Sequence, residues 1–147
     1  MKIRTNLILL VVVGALASLT VSAEAMGSGN PYQDAPVGLN YVVYQPSYTA
    51  GLALKNFGMH QCGAGDMAIN VNYGSGKKSI LLTESSMLNI CPLNMMLIRG
   101  ATRTVVNLPG AGALGGTQVV TISVGIPRAL LNRFFSHLKA RHTAPHS

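Results

Sequence analysis

Residues 67–84 read MAINVNYGSGKKSILLTE, and polarity in the first half of this stretch alternates residue by residue. Met67, Ile69, Val71 and Tyr73 fall on one side of an extended chain, with Asn70 and Asn72 on the other. That period belongs to a strand with one face buried and one face wet. SGKK then reverses the chain and SILLTESS runs back, so the stretch predicts a β-hairpin. Its apolar face needs a covering layer, which restricts the chain to a small set of layered architectures.

The remaining segments supply further strands and one cover. LNYVVYQ, from Leu39, is rich in β-branched and aromatic residues and reads as a strand that Pro46 ends, because proline cannot donate to a ladder. Pro46 to Gly51 is then a connection into LALKNFGMH, with its tyrosine packing over the turn. RTVVNL and TQVVTISV are two more strands around a glycine-rich loop, whereas Pro92 interrupts MLNICPLNMMLI. IPRALLNRFFSHLKAR has the period of a helix. Leu130, Phe134 and Leu138 are spaced four apart, with Leu131 and Phe135 beside them, and Arg128, Asn132, Arg133, Ser136 and Lys139 lie around the rest. Pro127 suits its first turn. The expected fold class is α+β: an antiparallel β-sheet of about five or six strands covered by one C-terminal amphipathic helix. A single domain is expected over residues 39–140, with a disordered tail over 141–147.

The N-terminal stretch MKIRTNLILLVVVGALASLTVSAEA has the parts of a secretory signal peptide over residues 1–25. Lys2 and Arg4 precede an apolar run from Leu7 to Ala17, and Ala23-Glu24-Ala25 forms an A-x-A cleavage site. The run is about 11 residues, short of the roughly 20 that span a bilayer as a helix. No cysteine lies near Ala25 to accept a lipid, and nothing later reaches transmembrane length. Residues 26–38, rich in Gly, Pro and Asn, read as a flexible leader. Removing Lys2, Arg4 and Glu24 leaves nine basic residues: Lys55, Lys77, Lys78, Arg99, Arg103, Arg128, Arg133, Lys139 and Arg141. Three acidic ones remain, Asp34, Asp66 and Glu84. This balance favours an acidic partner or an anionic surface. The bases are scattered and tryptophan is absent, so the pattern speaks against nucleic acid. Cys62 and Cys91 make an even pair in an exported chain, where a disulfide between them is the expected state. Its loop of about 30 residues would contribute on the order of 3–4 kcal/mol.

The order of these segments resembles a small domain of unknown function found in extracytoplasmic bacterial proteins, including anti-sigma regulators and envelope lipoproteins. Val43, Tyr44, Pro46, Tyr48 and Gly51 stand for its strand and Pro-x-Tyr-x-x-Gly turn, and INVNYGSGKKSILLTES for its exposed hairpin. TQVVTISVGIPRALLNRFFSHL stands for its last strand and closing helix. The resemblance covers nearly all of residues 39–139 and implies an envelope location and no catalytic residues. The cysteine pair and NICPLNMM depart from the pattern, as does the lack of a membrane helix and cytoplasmic region.

Four constellations invite chemistry, and each has a plainer explanation. GAGALGG contains G-x-G-x-x-G at Gly110, Gly112 and Gly115, but it follows Pro109 and precedes a strand, where a dinucleotide site needs a strand before and a helix after. A flexible loop is expected there. His60, Cys62 and Asp66, with Met59, Met95 and Met96, suggest a soft metal site; a disulfide would remove the thiolate, and methionines commonly fill cores. His137, His142 and His146 lie partly in the tail and read as solvated. His60 with Ser85 or Ser86 could form a dyad, yet no G-x-S-x-G motif supports it, and paired carboxylates are lacking.

No catalytic, cofactor or metal-binding residue is therefore expected. The chain reads as an exported cell-envelope or secreted domain that acts as a binding or regulatory module on an envelope or extracellular protein. Two alternatives stand beside this: a small secreted enzyme, recognisable by a cleft joining His60 to Asp66 or Glu84, and a binder of anionic membrane surfaces through the basic C-terminal helix.

Overall fold

The structure is a computed structural model that describes residues 30–34, 38–62, 65–88 and 99–141. In chain order its elements are a one-turn helix α1 (Pro31–Asp34), strands β1 (Val43–Pro46), β2 (Ala53–Cys62), β3 (Asp66–Ser75), β4 (Lys78–Ser86), β5 (Ala101–Leu108) and β6 (Thr117–Val124), helix α2 (Arg128–Ser136), and strand β7 (Leu138–Arg141). Strands β2, β3, β4, β6 and β5, in that order, form an antiparallel sheet. Strands β1 and β7 form a separate antiparallel ribbon. The class is α+β, dominated by antiparallel sheet, but with seven strands in two sheets and a helix shorter than expected.

The hairpin of residues 67–84 forms as β3 and β4. Ser75 pairs with Lys78 across a two-residue loop, Gly76-Lys77, with Gly76 at φ 57°. Positive φ at the first loop position alone is the pattern of a type II′ turn, whose twist matches that of its strands. Ile69, Val71 and Tyr73 are buried on one face, aligned with Glu84, Leu82 and Ile80 of β4. Val119 and Thr121 of β6 continue these rows. Asn70 and Asn72 point to the second face, as their alternation requires.

The expected helix stops seven residues into its own apolar pattern, and the chain after it becomes a strand. Ser47 explains the switch: its N–H and its hydroxyl both donate to the carbonyl of His137, at 2.9 and 3.0 Å. Residues 138–141 then pair with β1, from Pro46↔Leu138 to Val43↔Arg141. Tertiary pairing thus overrides a helical period that had no local reason to end. Two corrections follow. Leu138 belongs to β7 and not to the helix, and the helical residues that enter the core most fully are Leu131 and Phe134, with Leu130 only half-buried. Arg141, assigned to a disordered tail, is paired in β7 and its guanidinium donates to Gln45 Oε1.

Residues 26–38 are not uniformly a flexible leader. Within them α1 carries Tyr32 into the core at 5% exposure, and its hydroxyl meets that of Tyr73 at 2.7 Å. The segment after β1 turns at Ala50 and Gly51, both at positive φ (55° and 75°), closed by Leu52 N–H donating to Thr49 O at 3.0 Å. Tyr48 does not merely lie over this turn. It packs on the end of α2, beneath the Arg133 guanidinium at 4.5 Å and against the His137 ring at 5.7 Å.

One face of the large sheet carries the core. Ile69, Val71, Ile80, Leu82 and Val119 meet Tyr41, Val43 and Leu52 from the β1 region and Leu131 and Phe134 from α2. Phe134 is wholly buried and stands edge-on to Tyr73, with centroids 6.2 Å apart. The apolar side of α2 is therefore used in closing the sheet.

Candidate functional site

The groups singled out in the sequence are distributed over two faces of one sheet. His60 and Cys62 of β2 stand opposite Ala68 and Asp66 of β3, on the second face; Glu84 shares the core face with Ile69. The sheet itself separates His60 from Glu84, whereas His60 and Asp66 share the second face. Asp66 is engaged at the strand's start, where Asn40 Nδ2 donates to its Oδ1 at 2.9 Å.

His60 belongs to a polar row crossing three strands. Its Nδ1 meets Asn70 Nδ2 at 2.9 Å, and Asn70 Oδ1 accepts from the Thr83 hydroxyl at 2.6 Å. Partial burial pulls the imidazole below its ordinary pKa, because desolvation disfavours the cation. Ser85 lies on this face too, but with Ala68 between it and His60, a separation of two strand spacings or about 10 Å between backbones. Ser86 is on the core face and accepts from Leu88 N–H at 3.2 Å. Neither serine forms a dyad with His60. Met59 packs against the core, away from Cys62. Among the described residues no three His, Cys, Asp or Glu side chains come together as a metal site. Cys62 is buried at the end of β2, while Cys91, Met95, Met96, His142 and His146 lie outside the described residues. His137 Nδ1 donates to Arg133 O, 2.8 Å away, at the C-terminal end of α2.

The glycine-rich loop is no phosphate cradle. It joins β5 to β6, and no helix follows it. Nor is it the flexible loop expected. Gly115 exchanges hydrogen bonds with Asn40 and Val42 (2.9 and 3.2 Å), Gly116 O accepts from Met87 N–H at 3.1 Å, and Tyr44 OH donates to Pro109 O at 2.7 Å. A Cβ on Gly110 would fall 2.4 Å from Leu114 O. Its glycines serve close backbone approach.

Glu84 is the group that sequence reading underrated. It is fully buried among Tyr41, Leu82 and Val119. Tyr44 N–H donates to its Oε2 at 2.8 Å, and Oε1 has no partner among the described residues. Burial pushes its carboxyl up to about 8, against the partial relief of the Tyr44 bond. Nearby, Tyr41 OH donates to Met67 O and to Glu84 O at 3.0 and 3.1 Å. Desolvation also raises Tyr32, Tyr41 and Tyr44, and lifts Tyr73 to about 12. A proton held here is shut away from solvent, with Tyr41 and Tyr44 over it. A nine-residue strand with a glutamate at its seventh place could equally have faced water. Only the pairing with Ile69 determines its side.

Accessible shape lies elsewhere. Between β5 and α2 runs an open groove of about 610 Å³, lined by Thr102 to Val105 on one wall and by Arg128, Leu131 and Asn132 on the other. Strand β5 is an edge: it pairs with β6, and among the described residues nothing pairs with its outer side. The opposite edge, β2, has a register shift between Leu54 and Asn56, and Lys55 lays its side chain over Gly74. Bulges and lysines are how sheets blunt an edge against pairing. Strand β5 keeps regular register over all eight of its pairs. A second, smaller groove of about 300 Å³ lies on the ribbon between Gln45 to Ser47 and Lys139 to Arg141.

Comparison of the chain with protein-family models, with curated proteins and with solved structures finds no match.

Proposed function

We propose that this chain is an exported, non-catalytic module that binds a protein partner through the open edge at β5. The observation that carries the reading is the contrast between a regular, unpaired β5 beside a groove and a bulged, lysine-bearing β2. An edge of this kind recognises an extended segment by adding a strand, with backbone hydrogen bonds for affinity and side-chain pockets for specificity. Export is inferred from the signal-like residues 1–25, and an envelope setting from the resemblance of its strand and helix order to the extracytoplasmic domain family. The enclosed position of Glu84 and the separation of His60 from Ser85, Ser86 and Glu84 support a role without catalysis. A membrane-surface role for α2 loses its apolar face to the core, since Leu131 and Phe134 are buried there.

Site-specific photocrosslinking in the native envelope tests the reading. A photoreactive residue at Val105 is expected to capture a defined partner that the same residue at Leu54, on β2, does not. Equal adducts from both positions, or none from either, would refute edge binding.

A further inference from the structure

We infer that the occupant of the β5–α2 groove is an extended anionic segment that carries an acidic and an apolar side chain two residues apart. This rests on the binding reading above and adds the chemistry of the partner.

Side chains of an added strand would alternate between the two faces of the sheet. On the second face they would stand beside Arg103 and Val105, which are adjacent on that side of β5 and exposed. Val105 is one of the few large apolar side chains exposed among the described residues. Opposite-charge and apolar cross-strand pairs each stabilise a register, so an acid belongs opposite Arg103 and an aliphatic residue opposite Val105. On the core-facing side the same strand would look toward Arg128 and Asn132 of α2, across the wall that Leu131 lines. The groove thus presents positive charge on both of its sides.

Neither arginine has an acidic partner among the described residues. Asp66 and Glu84 are the two acidic side chains that the structure describes; one is bonded to Asn40, and the other is sealed in the core. The chain's excess of base over acid extends the same field over the surface and would speed the approach of an acidic segment. Arginine suits this task because its planar fork binds carboxylates in pairs of hydrogen bonds.

Binding of labelled synthetic peptides to the purified exported chain, read by fluorescence anisotropy, tests the assignment. The probes are threonine-rich extended peptides with Glu and Val two residues apart, in either order, since strand direction decides which order fits. One of the two is expected to bind, with affinity that falls as salt rises. A peptide with Lys in place of Glu is expected to be weaker by roughly tenfold or more, and Arg103→Glu should reverse that preference. Proline placed in turn at Thr104 and at Val105 supplies the geometric control. Alternate residues of an edge strand direct their N–H outward, so one of these two variants leaves the β5–β6 ladder intact and should still lose the peptide. Thermal melting identifies the variant that remains folded. Failure of both Glu-Val peptides, or binding that survives proline in the folded variant, would overturn the assignment. So would sedimentation showing that β5 is consumed in a dimer of this chain. Crosslinking from Val105 to a partner while both peptides fail would remove only the anionic occupant and leave edge binding standing.

Discussion

The packed interior around Glu84 and the groove beside β5 divide between them what an active site needs to combine. The first has a carboxyl with a pKa raised to about 8 and a ring of tyrosines, yet no path from water. The second has an open wall, exposed charge and unpaired backbone, but among its lining side chains no acid or histidine. Perturbed titration often marks catalysis, but burial alone perturbs a group just as strongly. Glu84 is best understood as a structural acid that ties β1 to the sheet through Tyr44 N–H. The contrast also separates measurements: changes in the interior should alter stability and spare binding, and changes at the edge should do the reverse.

The largest effect is expected from Phe134→Ala, which empties a fully buried site between α2 and Tyr73. A loss of about 3–5 kcal/mol is typical for such truncations and is a large part of a small domain's stability. Urea unfolding should show it, and Arg133→Gln, which removes only an exposed contact with Tyr48, should not approach it. Next is the cysteine pair. We expect Cys62 and Cys91 to be bonded, so that reduction lowers stability by roughly 3 kcal/mol. Peptide mapping without reductant that finds two alkylatable thiols would contradict this.

The pH dependence is smaller per unit but specific in sign. Glu84 is raised from an ordinary value near 4.5 to about 8 in the fold. The native state therefore keeps a proton that the unfolded chain has released between those values. Stability from this group is complete below about pH 4.5, falls as pH rises toward 8 and then levels. The slope in that window is roughly 1 kcal/mol per pH unit. Glu84→Gln should flatten the curve, leaving it close to the parent at pH 5 and above it at pH 9 in unfolding experiments. An unchanged slope would show that Glu84 is not neutral in the fold. The smallest effect is that of Tyr32→Phe, which removes one partner of a buried hydroxyl pair and should cost about 1 kcal/mol.

The legible parts of the fold were those written as local period. Met67 to Glu84 alternates, turns on a glycine and pairs in the register its pattern implies. Residues 101–108 and 117–124 likewise form strands around their glycine loop. What escaped was set by distant partners. Leu138 to Arg141 continue a helical pattern, and they leave it because β1, some ninety residues earlier, captures them through Ser47. Tyr32 lay in a segment without periodicity, and its place depends on the Tyr73 hydroxyl. The burial of Glu84 follows from strand register, which no short stretch reveals. The groove was harder still. Arg103 and Arg128 stand 25 residues apart in the chain, and only the antiparallel pairing of β5 with β6 sets α2 beside the strand.

Amide hydrogen exchange on the purified chain, with and without the tighter-binding Glu-Val peptide, tests the edge most directly. The outward-pointing amides of residues 101–108 should slow when the peptide is bound, while those of 53–62 on β2 keep their rates. Equal slowing of both edges, or unchanged exchange along β5 at saturating peptide, would contradict a binding edge at β5.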